Sequence, residues 1–244
     1  NTIEVGLLKS ASGSQSYELT NSNPAIVAHK LGEVAGSGRV DVPKMIEDWG
    51  TFLAKEESYY QESVAVNDIQ WTGSAWQWKD KEYRHIIWTK GFDAEHPHFP
   101  DLPFSPTKGE VLIVHAPNLK LDHILHGGVF IMPLGNDLYK VGATYSWDPL
   151  DTIPTQAGKE HLIKEWNKLV NVSCEVIKHV AGIRPNVKDR KPLLGKSITA
   201  ENSYIFNGLG SRGILMAPWL SQMMEQFIFK NTPLLKEVDI SRFS

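Results

Sequence analysis

The chain of 244 residues is long enough for one large domain or two small ones with a sizeable core. Its 41% hydrophobic and 22% charged residues suit a globular protein, and a net charge of -3 gives no pull toward nucleic acid or anionic membranes. No run of about 18 apolar residues and no signal peptide occurs, and Cys174 stands alone, which excludes an intramolecular disulfide and disfavours a thiolate zinc site.

A cytoplasmic protein without membrane contact is therefore expected. The chain opens at Asn1 without an initiator Met, which reads as a fragment with sequence missing upstream. In the first 35 residues the Ser-rich run from Ser10 to Ser16 and the turn Asn21-Ser22-Asn23-Pro24 resist assignment. Gly36-Ser37-Gly38 reads as a loop, because no strand precedes it and no third glycine completes a dinucleotide fingerprint. A helix follows: Asp41 can cap it, Pro43 suits its first turn, and Ile46, Trp49, Phe52 and Leu53 recur at helical spacing.

From Ser63 to Trp88 the pattern is of strands, with a hairpin over Trp71-Thr72-Gly73-Ser74-Ala75-Trp76 and a strand from Arg84 to Gly91. A proline-rich loop with Pro97, Pro100, Pro103 and Pro106 leads to a strand, Glu110-Val111-Leu112-Ile113-Val114. The clearest hairpin pairs Gly128–Leu134 with Leu138–Thr144 across Gly135-Asn136-Asp137, residues that tolerate positive φ. A helix from Thr155 puts Leu162, Ile163, Trp166, Leu169 and Val170 on one face. Strands around Val176–Val180 and Tyr204–Phe206 follow, then Asn207-Gly208-Leu209-Gly210-Ser211-Arg212-Gly213 and a last apolar helix through Ile228.

The glycine-rich turn between strand and helix is the strongest single feature. Glycines let backbone approach a ligand, and the first helical amides carry partial positive charge, which favours an anion or an electron-rich carbonyl edge. A simple packing turn is the competing reading. His96, His98, His115, His123 and His126 lack the helical spacing or carboxylate framing of a metal site, so no metal is expected. No serine nucleophile elbow is present.

Several ordered segments resemble the superfamily of D-amino acid oxidase, glycine oxidase and sarcosine oxidase. They are Trp88-Thr89-Lys90-Gly91, similar to a second flavin motif, and Pro106-Thr107-Lys108-Gly109-Glu110, similar to the entry into a substrate domain. The Phe130–Pro133 and Val141–Thr144 hairpin, Ala181-Gly182-Ile183-Arg184-Pro185, Asp189–Gly195 and the Gly208–Gly213 turn complete the order, and the likeness runs from about Gly36 to the end.

The resemblance implies an α+β fold: an antiparallel-rich mixed-sheet substrate domain with helices, plus the remnant of an FAD-binding α/β domain. The implied divisions are residues 1–35 unassigned, 36–108 FAD-binding remnant, 109–180 substrate domain, and 181–244 a return to the FAD-binding domain. It implies a flavin-dependent oxidase or dehydrogenase that oxidises the C–N bond of an amino acid or N-substituted amino acid by hydride transfer to FAD, with oxygen or another acceptor taking the electrons. FAD would belong to the full-length protein, since no G-x-G-x-x-G occurs here and the fragment alone would not turn over substrate.

By the same resemblance Arg184 holds the substrate carboxylate, against a structural salt bridge as the alternative, and Lys140 assists the reaction with oxygen, against a solvent-facing lysine. Gly91, Gly208, Gly210, Ser211, Arg212, Gly213, Ile214 and Leu215 face the flavin, although Lys90 stands where the family has a small residue. Tyr139 and Tyr145 line the substrate pocket or belong to the core. Two competing functions stay open: a tRNA-modifying member of the superfamily, disfavoured by the mild acidity, and a non-catalytic binding module that has lost the flavin.

Overall fold

A computed structural model describes residues 2–4, 16–28, 30–34, 38–93 and 96–243. Most of the Ser10–Ser16 run, together with Gly36 and Ser37 of the expected loop, lies outside the described residues. The strands in chain order begin with β1 (Thr2–Glu4), β2 (Ser16–Thr20) and β3 (Lys30–Val34), followed by helix α1 (Val42–Lys55). Next come β4 (Gln70–Trp71), β5 (Trp76–Trp78), β6 (Lys81–Tyr83), β7 (Ile86–Trp88), β8 (Thr107–His115) and β9 (Ile124–His126). The chain continues with β10 (Phe130–Gly135), β11 (Leu138–Gly142), α2 (Gln156–Leu169), β12 (Glu175–Arg184), β13 (Leu193–Lys196), β14 (Ser203–Asn207) and α3 (Gly213–Lys230).

Two compact units result. The first comprises residues 1–40 and 107–183, and the second 41–106 and 184–244. The mixed α and β architecture with antiparallel sheets is the expected fold class.

In the first unit an eight-stranded sheet runs in the order β12-β8-β11-β10-β9-β1-β3-β2 among the described residues. The expected hairpin of β10 and β11 turns through Asn136 and Asp137, both at positive φ (52° and 58°), as their short polar side chains allow. The first 34 residues, unassigned from sequence, supply three strands: β1 lies antiparallel to β3 and parallel to β9, and β2 lies antiparallel to β3. Strands this short carry little periodicity, so composition alone could not reveal them.

Helix α2 covers one face of that sheet. Its N-cap Thr155 accepts from the Gly158 amide at 3.0 Å, and Leu162, Trp166 and Leu169 are buried. They join Leu112, Val114, Leu125, Ile131 and Val141 in the core. Alternation along β8 puts Leu112 and Val114 toward the helix and leaves Val111, Ile113 and His115 on the other face.

The second unit has a three-stranded sheet, β13-β14-β7, in which β7 and β14 run parallel, and a small meander of β4, β5 and β6. Helix α3 contributes Leu220 and Met224 to a core with Leu194 and Tyr204. Helix α1 begins as its sequence predicts: the Asp41 side chain accepts from the Lys44 amide and proline occupies the first turn. Its apolar stripe is not buried, with Ile46, Trp49 and Phe52 each at least half exposed. Parallel strands are normally covered on both faces, so this helix and the edge strand β7 both present surfaces that ordinarily pack against something.

Candidate functional site

The glycine turn forms where two parallel strands end. β7 and β14 pair in register, Ser203 with Ile86, Tyr204 with Ile87 and Ile205 with Trp88, and both run out into glycines. After β7 comes Gly91 at φ +68°, and after β14 come Gly208 at φ +71° and Gly210 at φ +57°. These are left-handed conformations that side chains with a Cβ resist. A Cβ on Gly208 would lie 2.6 Å from Val187 Cγ2, and one on Gly210 would lie 2.4 Å from Asn186 Oδ1.

Asn207 ties these ends together. Its side chain is buried; Nδ2 donates to the Gly91 carbonyl at 2.9 Å, and Oδ1 accepts from the Gly208 amide at 2.8 Å. The Gly210 amide donates to the Pro185 carbonyl at 3.2 Å, which brings Arg184-Pro185 beside the turn. Arg184 is half-buried, at the end of β12. A short 3-10 turn, Gly210–Arg212, leads into α3, where Ser211, Arg212, Ile214 and Leu215 are exposed and Leu215 is 79% so. Ligands of open α/β sheets collect at the carboxyl ends of parallel strands, where helix amides and close backbone approach favour anionic or electron-rich groups. Lys90, which departs from the small residue the family resemblance implies, pairs with Asp93 at 2.7 Å.

Tyr139, Lys140 and Tyr145 all belong to the first unit, and β11 separates the first two by face. Tyr139 is in the core at 3% exposure: its ring lies 6.5 Å from that of Trp166 and its hydroxyl accepts from the Leu121 amide at 3.3 Å. Tyr139 belongs to the core cluster of this unit. Lys140, one residue on, belongs to the face away from α2, between Ile113 and Met132 in the ladder. Beyond β11, Thr144 stays bonded to Glu110 and Ser146 pairs with Lys108, so alternation puts Tyr145 opposite Gly109 on the face of Lys140. Tyr145 is half exposed and meets the exposed Trp147 edge to face at 5.1 Å.

Sequence reading passed over three residues that organise these regions. Asn207 was visible only as the letter before a glycine. Lys108 and Glu110 are both buried on the helix face of β8, in phase with Leu112 and Val114. The Glu110 carboxylate accepts from the Thr155 amide and hydroxyl, each at 2.8 Å, and lies 2.8 Å from His179 Nε2. Charged letters in phase with a buried stripe were the available signal.

His96 and His98 pack among aromatic rings. His96 is 7% exposed against the Trp88 ring at 4.2 Å, and its Nδ1 accepts from the His98 amide. Burial, with smaller contributions from His98 and Lys90, pushes its pKa down to about 4, so it is neutral at pH 7. His98 Nδ1 and Trp88 Nε1 both meet Ser203 Oγ at 3.0 Å. Among the described residues no group of three or more His, Cys, Asp or Glu could hold a metal ion, and no helix is long and apolar enough to cross a membrane.

This fold, with a mixed sheet in one unit and a glycine-ended parallel pair in the other, is shared with solved oxidoreductases. The structure is similar to glycine oxidase from Geobacillus kaustophilus, with a TM-score of 0.77, 21% identity, and 95% of this chain and 67% of that chain covered. Glycine oxidase from Bacillus cereus gives the same TM-score at 20% identity, over 92% of this chain and 68% of that one. Residues 34–226 match the family described as FAD dependent oxidoreductase, and the chain belongs to that family, DAO. It is 29% identical over 157 residues to the tRNA 5-methylaminomethyl-2-thiouridine biosynthesis bifunctional protein of Idiomarina loihiensis, over 58% of this chain and 25% of that protein. It is 30% identical over 134 residues to glycine oxidase of Bacillus licheniformis, over 54% of this chain and 36% of that enzyme. The chain therefore spans about a quarter to two fifths of the curated relatives it matches.

Proposed function

We propose that this chain is the C-terminal portion of a flavoenzyme that oxidises the C–N bond of an amino acid or N-substituted amino acid. The observation that carries the reading is the Asn207-bridged pair of left-handed glycine turns at the ends of β7 and β14. Added Cβ atoms at Gly208 and Gly210 would run into Val187 and Asn186, so glycine lets the chain pack into these turns, while the space beside Gly91 is open. The residues fit a flavin: Gly91 and Gly213 leave room for close approach, Gly208 and Gly210 give the turn its left-handed backbone, and the start of α3 from Ser211 and Arg212 through Ile214 and Leu215 supplies amide dipoles. When bound, FAD supplies the hydride acceptor.

The chain's own residues supply orientation and charge. The Arg184 guanidinium holds the substrate carboxylate through a bidentate pair, which fixes the amine-bearing carbon in one orientation. Lys140 places a cation on the sheet face away from α2, where it favours reduction of oxygen; a dehydrogenase would pass electrons to another acceptor instead. Tyr145, on the same face, contacts substrate. The exposed stripe of α1 and the place of β7 at the sheet's edge among the described residues support a further segment of the intact protein that covers them and completes the FAD site.

A second reading is favoured by the first of the curated relatives above, whose name refers to a tRNA nucleoside. There the amine to be oxidised would be carried on tRNA, and binding would weaken steeply with salt.

The deciding experiment is the visible spectrum of the full-length protein before and after anaerobic addition of a panel of amino acids. Yellow protein bleached by one class of amino acid supports the reading. Yellow protein bleached by no amino acid, with salt-dependent tRNA binding, moves it to the tRNA substrate. Colourless protein that takes up no added FAD overturns the oxidoreductase reading in favour of a binding module.

A further inference from the structure

Lys108 is 1% exposed, in a position where a lysine is rarely found without partners. Its Nζ donates to Asp151 Oδ1 at 2.6 Å and to the Ile153 carbonyl at 2.5 Å. Both acceptors lie in the segment 146–153, between β11 and α2. The same segment is held at its start by two backbone bonds between Lys108 and Ser146, 2.8 and 3.0 Å, and beyond its end by Glu110 on Thr155. Inside it, Asp151 Oδ1 also accepts from the Ile153 amide, and Ser146 Oγ donates to the Asp148 carbonyl. The Lys108 ammonium, with the Ile153 amide, holds the Asp151 carboxyl below its usual range.

What this anchored segment and its neighbour turn outward is apolar. Tyr145 is 50% exposed, Trp147 60%, Leu150 43% and Ile153 68%. A surface connection is ordinarily polar and mobile. A connection fixed from beneath by a buried charge, with edge-to-face aromatics on its outer side, has the form of a contact site: rigid aromatics give area at small entropic cost. Tyr145 also shares the sheet face of Lys140.

We infer that Lys108 is a positioning residue: it fixes segment 146–153 from beneath so that Tyr145 and Trp147 form a contact site for the apolar substituent of the amine substrate. The inference rests on the amine-oxidation reading above, and it adds a specificity element to it. The substituent meets the Tyr145–Trp147 pair, while Lys108 touches no substrate and acts through Asp151 and the Ile153 carbonyl.

The test uses the full-length flavoprotein with Lys108→Met and Trp147→Ala. Asp151 is 38% exposed on its side chain, so its carboxylate hydrates when the lysine is gone and Lys108→Met leaves no unpaired charge buried. Amide hydrogen exchange over 144–155 is read together with KM and kcat for glycine and for N-benzylglycine. Lys108→Met is expected to speed exchange in 146–153 roughly tenfold or more, leaving β11 unchanged. Both variants are expected to raise KM for N-benzylglycine roughly three- to tenfold more than for glycine, with kcat little altered, and Trp147→Ala does so without faster exchange.

Unchanged exchange in Lys108→Met removes the positioning role. Faster exchange with equal KM changes for both substrates leaves Lys108 as ordinary scaffold and overturns the inference. Trp147→Ala with no selective effect removes the contact site. If the full-length protein oxidises neither glycine, the amine-oxidation reading fails and the contact site with it, while exchange still decides the anchor. Should Lys108→Met not fold, Asp151→Asn, which keeps the shape and the Ile153 acceptor, decides the anchor by the same exchange measurement.

Discussion

Asn207 Nδ2 donates to the Gly91 carbonyl at 2.9 Å, across 116 positions of sequence, and so joins the turn after β7 to the turn after β14. The same amide accepts from Gly208 with its Oδ1, which leaves both turns dependent on one buried side chain.

Replacing Asn207 with Leu keeps the size and orphans both partners. The expected loss is about 1–3 kcal/mol, the usual penalty for buried polar groups left unmade, together with weaker FAD binding by the full-length protein. Urea denaturation and a flavin titration check it; an unchanged midpoint would mean that Asn207 does not hold the turns.

Gly208→Ala meets two obstacles at once, a φ of +71° and a Cβ placed 2.6 Å from Val187 Cγ2. The conformational penalty of about 1–2 kcal/mol adds to overpacking of about 1–3 kcal/mol. Denaturation should show a loss near the sum. Gly182→Ala, whose Cβ meets nothing within 4 Å, serves as the control and should change little.

Stability should fall with acid through His96. Its folded pKa of about 4 lies below the ordinary 6.5, so above pH 6.5 it is neutral in both states and contributes no pH dependence. As pH falls from 6.5 to 4 the unfolded chain takes the proton first, and stability drops by about 3 kcal/mol over that window. His98, also lowered by burial, adds in the same direction. Thermal melts across pH 4–7 measure the slope; His96→Phe should flatten it, and an equal slope in the variant would assign the loss elsewhere.

Arg184→Met should raise KM for carboxylated amines roughly ten- to a hundredfold, the scale of a charge-assisted pair, while KM for an amine without a carboxylate stays put. Steady-state kinetics of the full-length protein read this directly. Equal losses on both substrates would remove the carboxylate role.

Local chemistry made much of this molecule legible. Asp41 before Val42-Pro43 and Thr155 before Gln156 announced two helix starts, because capping is decided within four residues. Gly135-Asn136-Asp137 announced the β10–β11 hairpin, since only a few residue types accept its positive φ. The parallel pairing of β7 with β14 was not readable, because it joins residues more than a hundred positions apart and neither strand has a period of its own. β13 gives no strand signal, since the four residues Leu193–Lys196 are too few to alternate.

By itself, the order of glycine, arginine and proline segments along the chain determined the family, because backbone conformations that exclude a Cβ must be written as glycine wherever they occur. Only the tertiary structure decided which side chains those segments use. Adjacent residues Tyr139 and Lys140 part to opposite sheet faces, Lys108 goes inward beneath a loop it does not adjoin in sequence, and Asn207 reaches Gly91. The reason is physical: a strand's letters state its alternation, but which face is covered, and by what, depends on elements brought in from far along the chain.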